Sequence, residues 1–353
     1  MSQWRCSGAV SDAALCAPHS RDLSDLVTAF ISSSPRKGDA DLCLAALDNL
    51  LKQLRWLLPR SPLVVIFDAP SPLLAHTALS QAVGSLDYQS WFAEDGTNYT
   101  TTTGRGTAVV TRSSDAAAIN ATKTLHEYVD KISFVQRLAA QPAELGMLRV
   151  VVNERWLHQG NALREGMRRG NLSTPLILSV QDDIELVALN ELRVGLIIER
   201  LMCDPSVEYV RLHWGTSLSG KCALSNTHPG HPVSISTRRG SAECVIAHAL
   251  SHASSQLFAG GFEVRGAHAE QPGLFRLPEW SDRPHFARVE TYNRYVWPLF
   301  GPAVRMLPEV ALKQHPPANA SEMGLWLFAP NCSMLHEKHH RCGLYRSRNP
   351  SYG

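Results

Sequence analysis

The chain has 353 residues, 44% hydrophobic and 19% charged, with a formal net charge of +2. That is enough for one large α/β domain or two modest ones with a sizeable core. So balanced a charge, with no Lys/Arg run longer than two residues, gives no electrostatic footprint for nucleic acid or an acidic membrane. No stretch reaches the ~18–20 apolar residues of a membrane helix. Met1 to Ala29, broken by Arg5, Asp12, His19, Arg21, Asp22 and Asp25, lacks the apolar core of a signal peptide.

Residues 1–38 show little periodicity and are expected to be a partly ordered tail. From Asp41 to Leu58, Leu44, Leu47, Leu50, Leu51, Leu54 and Leu58 recur at three- and four-residue spacing, the pattern of one helical face. Asp39 or Asp41 can cap this helix and Pro59 stops it. Leu63 to Phe67 is a continuous apolar run, as in a parallel strand covered on both faces, and ends at Asp68-Ala69-Pro70. The polar, Thr-rich residues 93–115 predict a long surface loop, and 121–140 predict a helix. Leu148 to Val152 predicts a second strand, Asn161 to Arg169 a helix, and Pro175 to Val180 a third strand ending at Gln181-Asp182-Asp183. A helix over 187–202 and a strand over Tyr209 to His213 complete the alternation. Strands alternating with helices predict a doubly wound sheet, in which ligands sit at the carboxyl ends of the strands. Asp68 and the Asp182/Asp183 pair fall at such ends. Residues 220–245 carry little pattern, and Tyr292, Tyr295, Trp297 and Phe300 cluster within 277–310.

Two adjacent carboxylates at the end of an apolar strand are costly unless satisfied, and a divalent cation that also holds a diphosphate would satisfy them. A solvated helix cap is the plainer alternative. Val150-Val151-Val152-Asn153, His158-Gln159-Gly160-Asn161-Ala162-Leu163-Arg164-Glu165-Gly166-Met167, Thr174 to Leu178 and Gln181 to Leu186 follow in the order strand, Gly-Asn helix, apolar strand, acidic pair. Over roughly residues 61–200 this order resembles family-2-like glycosyltransferases of the GT-A fold, whose strand-end motif is D-x-D. Gln181 stands where the first Asp of that motif would be, and Asp183 matches the last.

The resemblance implies a GT-A, Rossmann-like mixed α/β sheet flanked by helices. It divides into an N-terminal tail and helix (1–60), a nucleotide-sugar-binding half (61–200) and an acceptor-binding half (201–353). It implies transfer of a sugar from a nucleotide-diphosphate sugar to a hydroxyl of a carbohydrate or glycosylated acceptor, with inversion. Asp68, His158, Asn161, Gln181 and Asp182 would line the donor site. Asp183, with His336 of the C-terminal histidine cluster, would hold Mn or Mg. Asp282 or Glu309 would be the base that takes the acceptor proton. The sequence carries no visible address, so the setting stays open between the cytoplasm and, if a native anchor is missing from this chain, the Golgi lumen.

Two other classes stay open in the sequence. His336-Glu337-Lys338-His339-His340 satisfies H-E-x-x-H, the pattern of a zinc peptidase, although only thirteen residues follow it. A GT-A-like domain that binds a glycan or partner without turnover is the other, suggested by Gln181. No G-x-G-x-x-G loop supports a dehydrogenase. The eight cysteines include no C-x-x-C; Cys222 with Cys244 and Cys332 with Cys342 are candidate disulfides. Five N-x-[ST] sequons, at Asn98, Asn120, Asn171, Asn319 and Asn331, hint at a secretory lumen.

Overall fold

The structure is a computed structural model. It describes residues 25–35, 40–71, 74, 100–103, 106–109, 115–144, 146–170, 172–186, 189, 191–212, 264–265, 274–276, 280–301, 304–317, 323–328 and 345–347. In chain order the elements are β1 (Val27–Ser33), α1 (Ala40–Leu57), β2 (Leu63–Phe67), β3 (Thr100–Thr103), β4 (Gly106–Val109), α2 (Asp115–Ala139), β5 (Leu148–Val152), α3 (His158–Arg169), β6 (Leu176–Gln181), β7 (Ile184–Leu186), α4 (Glu191–Cys203) and β8 (Tyr209–Leu212). There follow β9 (Val264–Arg265), β10 (Leu274–Arg276), β11 (His285–Arg288), α5 (Pro308–Gln314), β12 (Leu325–Phe328) and β13 (Tyr345–Ser347). Between β11 and α5 the chain makes three short turns of different pitch, Val289–Thr291, Tyr292–Val296 and Trp297–Leu299.

Nine strands form one mixed sheet in the order β5-β2-β1-β6-β11-β8-β12-β10-β9. Strands β5, β2, β1 and β6 run parallel, and β11 lies antiparallel between β6 and β8. Strand β12 pairs parallel to β8. The architecture is mixed α/β and Rossmann-like, a sheet covered by helices on both faces. Alternation along the strands feeds two separate cores. Ala29, Ile31, Leu63, Val65, Phe67 and Leu178 pack with α1, α2 and α4 through Leu47, Leu50, Leu54, Ile132 and Ile197. Phe30, Val64, Ile66 and Ile177 face the other way, onto α3 and the segment that includes Tyr292, Tyr295 and Phe300. Burial on both faces explains the uninterrupted apolar run of β2.

The predicted N-terminal tail is corrected by β1, an interior strand of the sheet, paired with β2 and β6. Its sequence, VTAFISS, hid it, because three of seven side chains carry hydroxyls. Each of these finds a partner: Thr28 Oγ1 bonds Thr174 Oγ1 at 2.8 Å, Ser33 Oγ donates to Asp182 at 2.6 Å, and Ser32 Oγ donates to the Val180 carbonyl at 3.4 Å. Polar residues are tolerated in a central strand when hydrogen-bonded. The predicted loop over 93–115 holds the hairpin β3–β4, which the threonine run favours by its β-branching. The antiparallel strand β11 was not anticipated; its His285-Phe286-Ala287-Arg288 is too short and mixed to announce itself. Among the described residues no helix is long and apolar enough to cross a membrane. Cys222, Cys244, Cys332 and Cys342 lie outside the described residues.

Helix α3 approaches the sheet closely because its inner face is small. A Cβ on Gly166 would fall 2.1 Å from Ile66 Cδ1, and one on Gly160 2.0 Å from Phe300 Cε1. Overpacking of this kind costs about 1–3 kcal/mol, more than the ~1 kcal/mol that alanine gains over glycine in helix propensity. Gly166→Ala is therefore expected to destabilise the protein in urea titration. In an Ile66→Ala background the Gly166→Ala substitution should be neutral or favourable, since the clashing atoms are gone.

Candidate functional site

The sheet changes winding direction at β1: β2 and β5 lie on one side and β6 on the other. In open α/β sheets the crevice outside the carboxyl ends of the strands at such a point is the usual ligand site. A cavity of about 550 Å³ lies there. Its floor is the ends of β1 and β2, with Ser33, Ser34, Asp68 and Ala69. One wall is the start of α3, with Trp156, His158 and Gln159. Gln181 and Asp183 come from the end of β6, and the facing wall carries Asp282, Arg283 and Glu309. The volume falls within the ~300–1,000 Å³ common for small-molecule and cofactor sites.

Asp68 follows β2 and is only 4% exposed. Its carboxylate accepts hydrogen bonds from the backbone N–H of Leu157 (2.9 Å), His158 (2.8 Å) and Ala69 (3.1 Å). Helix α3 has no acidic residue in its first turn and no capping bond from its own N-cap side chain. Asp68 supplies that cap from another element, across ninety residues of sequence. Burial pushes its carboxyl up to about 6 despite the backbone donors that lower it. With the folded value above the unfolded one, the group's contribution to stability is complete below about pH 4 and is lost as pH rises through about 6. Asp68→Asn is expected to flatten that part of the stability profile. The difference in unfolding free energy between variant and parent should change by about 2 kcal/mol from pH 4 to pH 6.5, read by urea titration at each pH.

His158 opens α3 with a backbone φ of 64°, in the left-handed region that non-glycine residues rarely occupy. Such strain costs about 1–3 kcal/mol and tends to gather at ligand sites. Its ring lines the cavity, and burial lowers its basicity, so the imidazole is neutral at pH 7. Asn161, one turn on, does not line this cavity. Its amide donates to the Gly301 (3.2 Å) and Val304 (2.7 Å) carbonyls and ties α3 to the segment before α5.

The acidic pair divides in function. Asp182, 3% exposed, accepts Ser33 Oγ at 2.6 Å and Lys131 Nζ of α2 at 2.7 Å. It is a buried ion pair that ties the ends of β1 and β6 to α2, and its carboxylate is not part of the cavity lining. Asp183, 7% exposed, is in the cavity wall with Gln181. Lys131 and Ser33 were not anticipated; a lysine inside an amphipathic helix gives no sequence signal of a partner fifty-one residues away.

Asp282 and Glu309, twenty-seven residues apart, meet across the facing wall. Glu309 N donates to both Asp282 carboxylate oxygens at 3.2 Å, and Asp282 N donates to Glu309 Oε2 at 3.4 Å. Trp280 Nε1 adds a donor to Asp282 at 3.3 Å, and Lys313 bonds Glu309 at 3.2 Å. Burial, aided by the negative Glu309, pushes the Asp282 carboxyl up to about 7. Beneath this wall Tyr209 and Trp280 pack on His285 and Tyr292. His285 Nδ1 donates to the Arg283 carbonyl at 2.6 Å, which leaves Nε2 to accept from Tyr292 Oη at 2.7 Å. Burial and Arg211 hold His285 down at about 4, so this relay stays neutral and fixes the backbone beside Asp282.

The cavity thus brings together Asp68, His158, Gln181, Asp183, Asp282 and Glu309, and leaves out Asn161 and Asp182. His336 and the rest of the H-E-x-x-H segment lie outside the described residues; the described strand nearest in sequence, β13, pairs with β7 just after Asp183. Among the described residues no group of three or more His, Cys, Asp or Glu side chains gathers as a metal site. Asp183 and Gln181 offer a carboxylate and a carboxamide, hard oxygen donors suited to Mg or Mn that keeps water ligands.

The fold is α/β with a Rossmann-like sheet and a cavity at its strand ends. No family model and no curated protein matches the chain.

Proposed function

We propose that the chain is a glycosyltransferase of the GT-A kind, transferring a sugar with inversion from a nucleotide-diphosphate sugar to an acceptor hydroxyl. The observation that carries this is that one cavity at the winding switch holds Gln181 and Asp183 at one strand end and the Asp282–Glu309 carboxylates on the facing wall. An inverting transfer needs this division: a place for the diphosphate and a base on the acceptor side.

A divalent cation held by Asp183 and Gln181 would neutralise the diphosphate as the bond to the sugar breaks. The start of α3 positions the donor, with the neutral His158 ring and the Asp68 cap fixing the backbone there. Asp282 takes the proton of the acceptor hydroxyl as its oxygen attacks the anomeric carbon. A carboxyl at about 7 exchanges protons near neutrality, where a general base works best. Glu309, through its charge and its backbone N–H, positions Asp282 and tunes it.

The test is thermal unfolding with UDP, GDP and CMP, each with and without manganese. A ligand that binds only the native state at ~100 times its dissociation constant adds about 2.7 kcal/mol. A manganese-dependent rise with one nucleotide supports the proposal and names the donor class. A protein indifferent to every nucleotide but stabilised by zinc would overturn it.

A further inference from the structure

On the far side of α3 from the candidate site runs an open groove of about 1300 Å³. Its rim holds four guanidinium groups, Arg155, Arg164, Arg168 and Arg169, against two carboxylates, Glu154 and Glu165. All four arginines are exposed. Among the described residues, of the four only Arg168 is neutralised by a hydrogen-bonded carboxylate, through two bonds to Glu165 at 2.9 and 2.6 Å. Arg164 and Arg169 are anchored instead to main-chain carbonyls, those of Phe300 and Val152. A carbonyl orients a guanidinium without cancelling its charge, and each has further N–H donors for a ligand. Arg155 has no hydrogen-bond partner among the described residues. Glu165 is held below the usual carboxylate range first by its bond to Arg168, and also by the charges of Arg169 and Arg155. Three cations thus crowd one anion, and the groove keeps a surplus of fixed positive charge.

The groove is not merely basic. Trp297 lies half-exposed along it with the exposed amide of Asn293 beside it, and Leu172 and Val289 form an apolar strip. Guanidiniums bind sulfate or carboxylate in bidentate fashion. An indole face takes the apolar side of a sugar ring, and an amide takes hydroxyls. We infer that this groove binds an anionic glycan chain, sulfated or uronic, with Arg155 and Arg169 as its principal charge contacts and Trp297 as its stacking platform. The groove shares α3 with the candidate site, so a chain held here lies one helix away from it. Binding does not depend on sugar transfer, and it is read without any nucleotide.

The test is calorimetric titration of the full chain with four octamers: a heparin-derived oligosaccharide, oligogalacturonate, neutral malto-octaose and octaglutamate. Either anionic glycan, and not malto-octaose, should bind, with affinity falling several-fold between about 50 and 150 mM salt. The better of the two probes tells sulfate from carboxylate. Arg155→Ser with Arg169→Ser should weaken that binding at least tenfold. The charge-matched Arg137→Ser with Arg200→Ser, both exposed and outside the groove, should leave it within twofold. Binding of neither glycan overturns the inference. So does equal loss in both double variants, or octaglutamate binding as tightly as the glycans, which would make the groove a protein-docking surface. A nucleotide shift without glycan binding would sink this inference and leave the proposed activity standing.

Discussion

Asp282→Asn is expected to lower sugar transfer by about a thousandfold while nucleoside diphosphate binding stays within twofold; removing a general base costs typically ~10²–10⁴ in rate. The asparagine keeps an oxygen for the donors of Glu309 N and Trp280 Nε1, so the junction with α5 survives. The parent enzyme should gain activity as pH rises through about 7, where the Asp282 carboxyl loses its proton, and level off above. Stability should move the other way. A carboxyl raised by burial contributes its stability below the unfolded value and loses it as pH rises through about 7, so the uncharged variant should be the more stable protein at pH 8. An inactive variant that is more stable than its parent points to lost chemistry and not to lost structure. If Asp282→Asn keeps full activity, Glu309 becomes the base, and Glu309→Gln should then show the loss.

Lys131→Met is expected to cost about 3–5 kcal/mol of stability, because it removes one partner of a buried ion pair and keeps the other, Asp182, in place. Lys131 is 9% and Asp182 3% exposed in their side chains, too little for water to compensate. Combining Lys131→Met with Asp182→Asn should recover most of the loss, since a neutral pair of similar volume avoids the charge altogether. Guanidinium titration of the two single variants and the double variant gives the coupling. Independent, additive effects would mean that the ion pair is not what binds α2 to the strand ends. The backbone beside Asp183 is tied to β1 separately, through Asp182 N, which donates to the Ser32 carbonyl at 3.1 Å.

Much of the fold was legible where burial leaves a periodic trace. The leucines of α1 and the apolar runs of β2, β5 and β6 are patterns that only one packing satisfies. Strand β1 was not legible, since its buried hydroxyls are acceptable only through Thr174, Asp182 and Val180, partners about 150 residues away. Of the site, Asp68, Gln181 and Asp183 were visible because they end apolar strands. The meeting of Asp282 with Glu309 was not visible, because sequence offers two carboxylates and no geometry; the proline at the start of α5 and the turn at Arg283-Pro284 bring them together. Asp182 and Asp183 look alike in sequence, and only the direction of each side chain separates an ion pair with Lys131 from a cavity wall.

The central claim, a nucleotide-diphosphate site built on Asp183, is tested most directly by calorimetric titration of UDP and GDP in manganese into the parent and into Asp183→Asn. Unchanged melting of the variant without ligand shows that the fold is intact. The expected result is binding of one nucleotide by the parent and at least tenfold weaker binding by Asp183→Asn, a difference of about 1.4 kcal/mol or more. Equal affinity in both proteins, or no binding of either nucleotide by the parent, would contradict it.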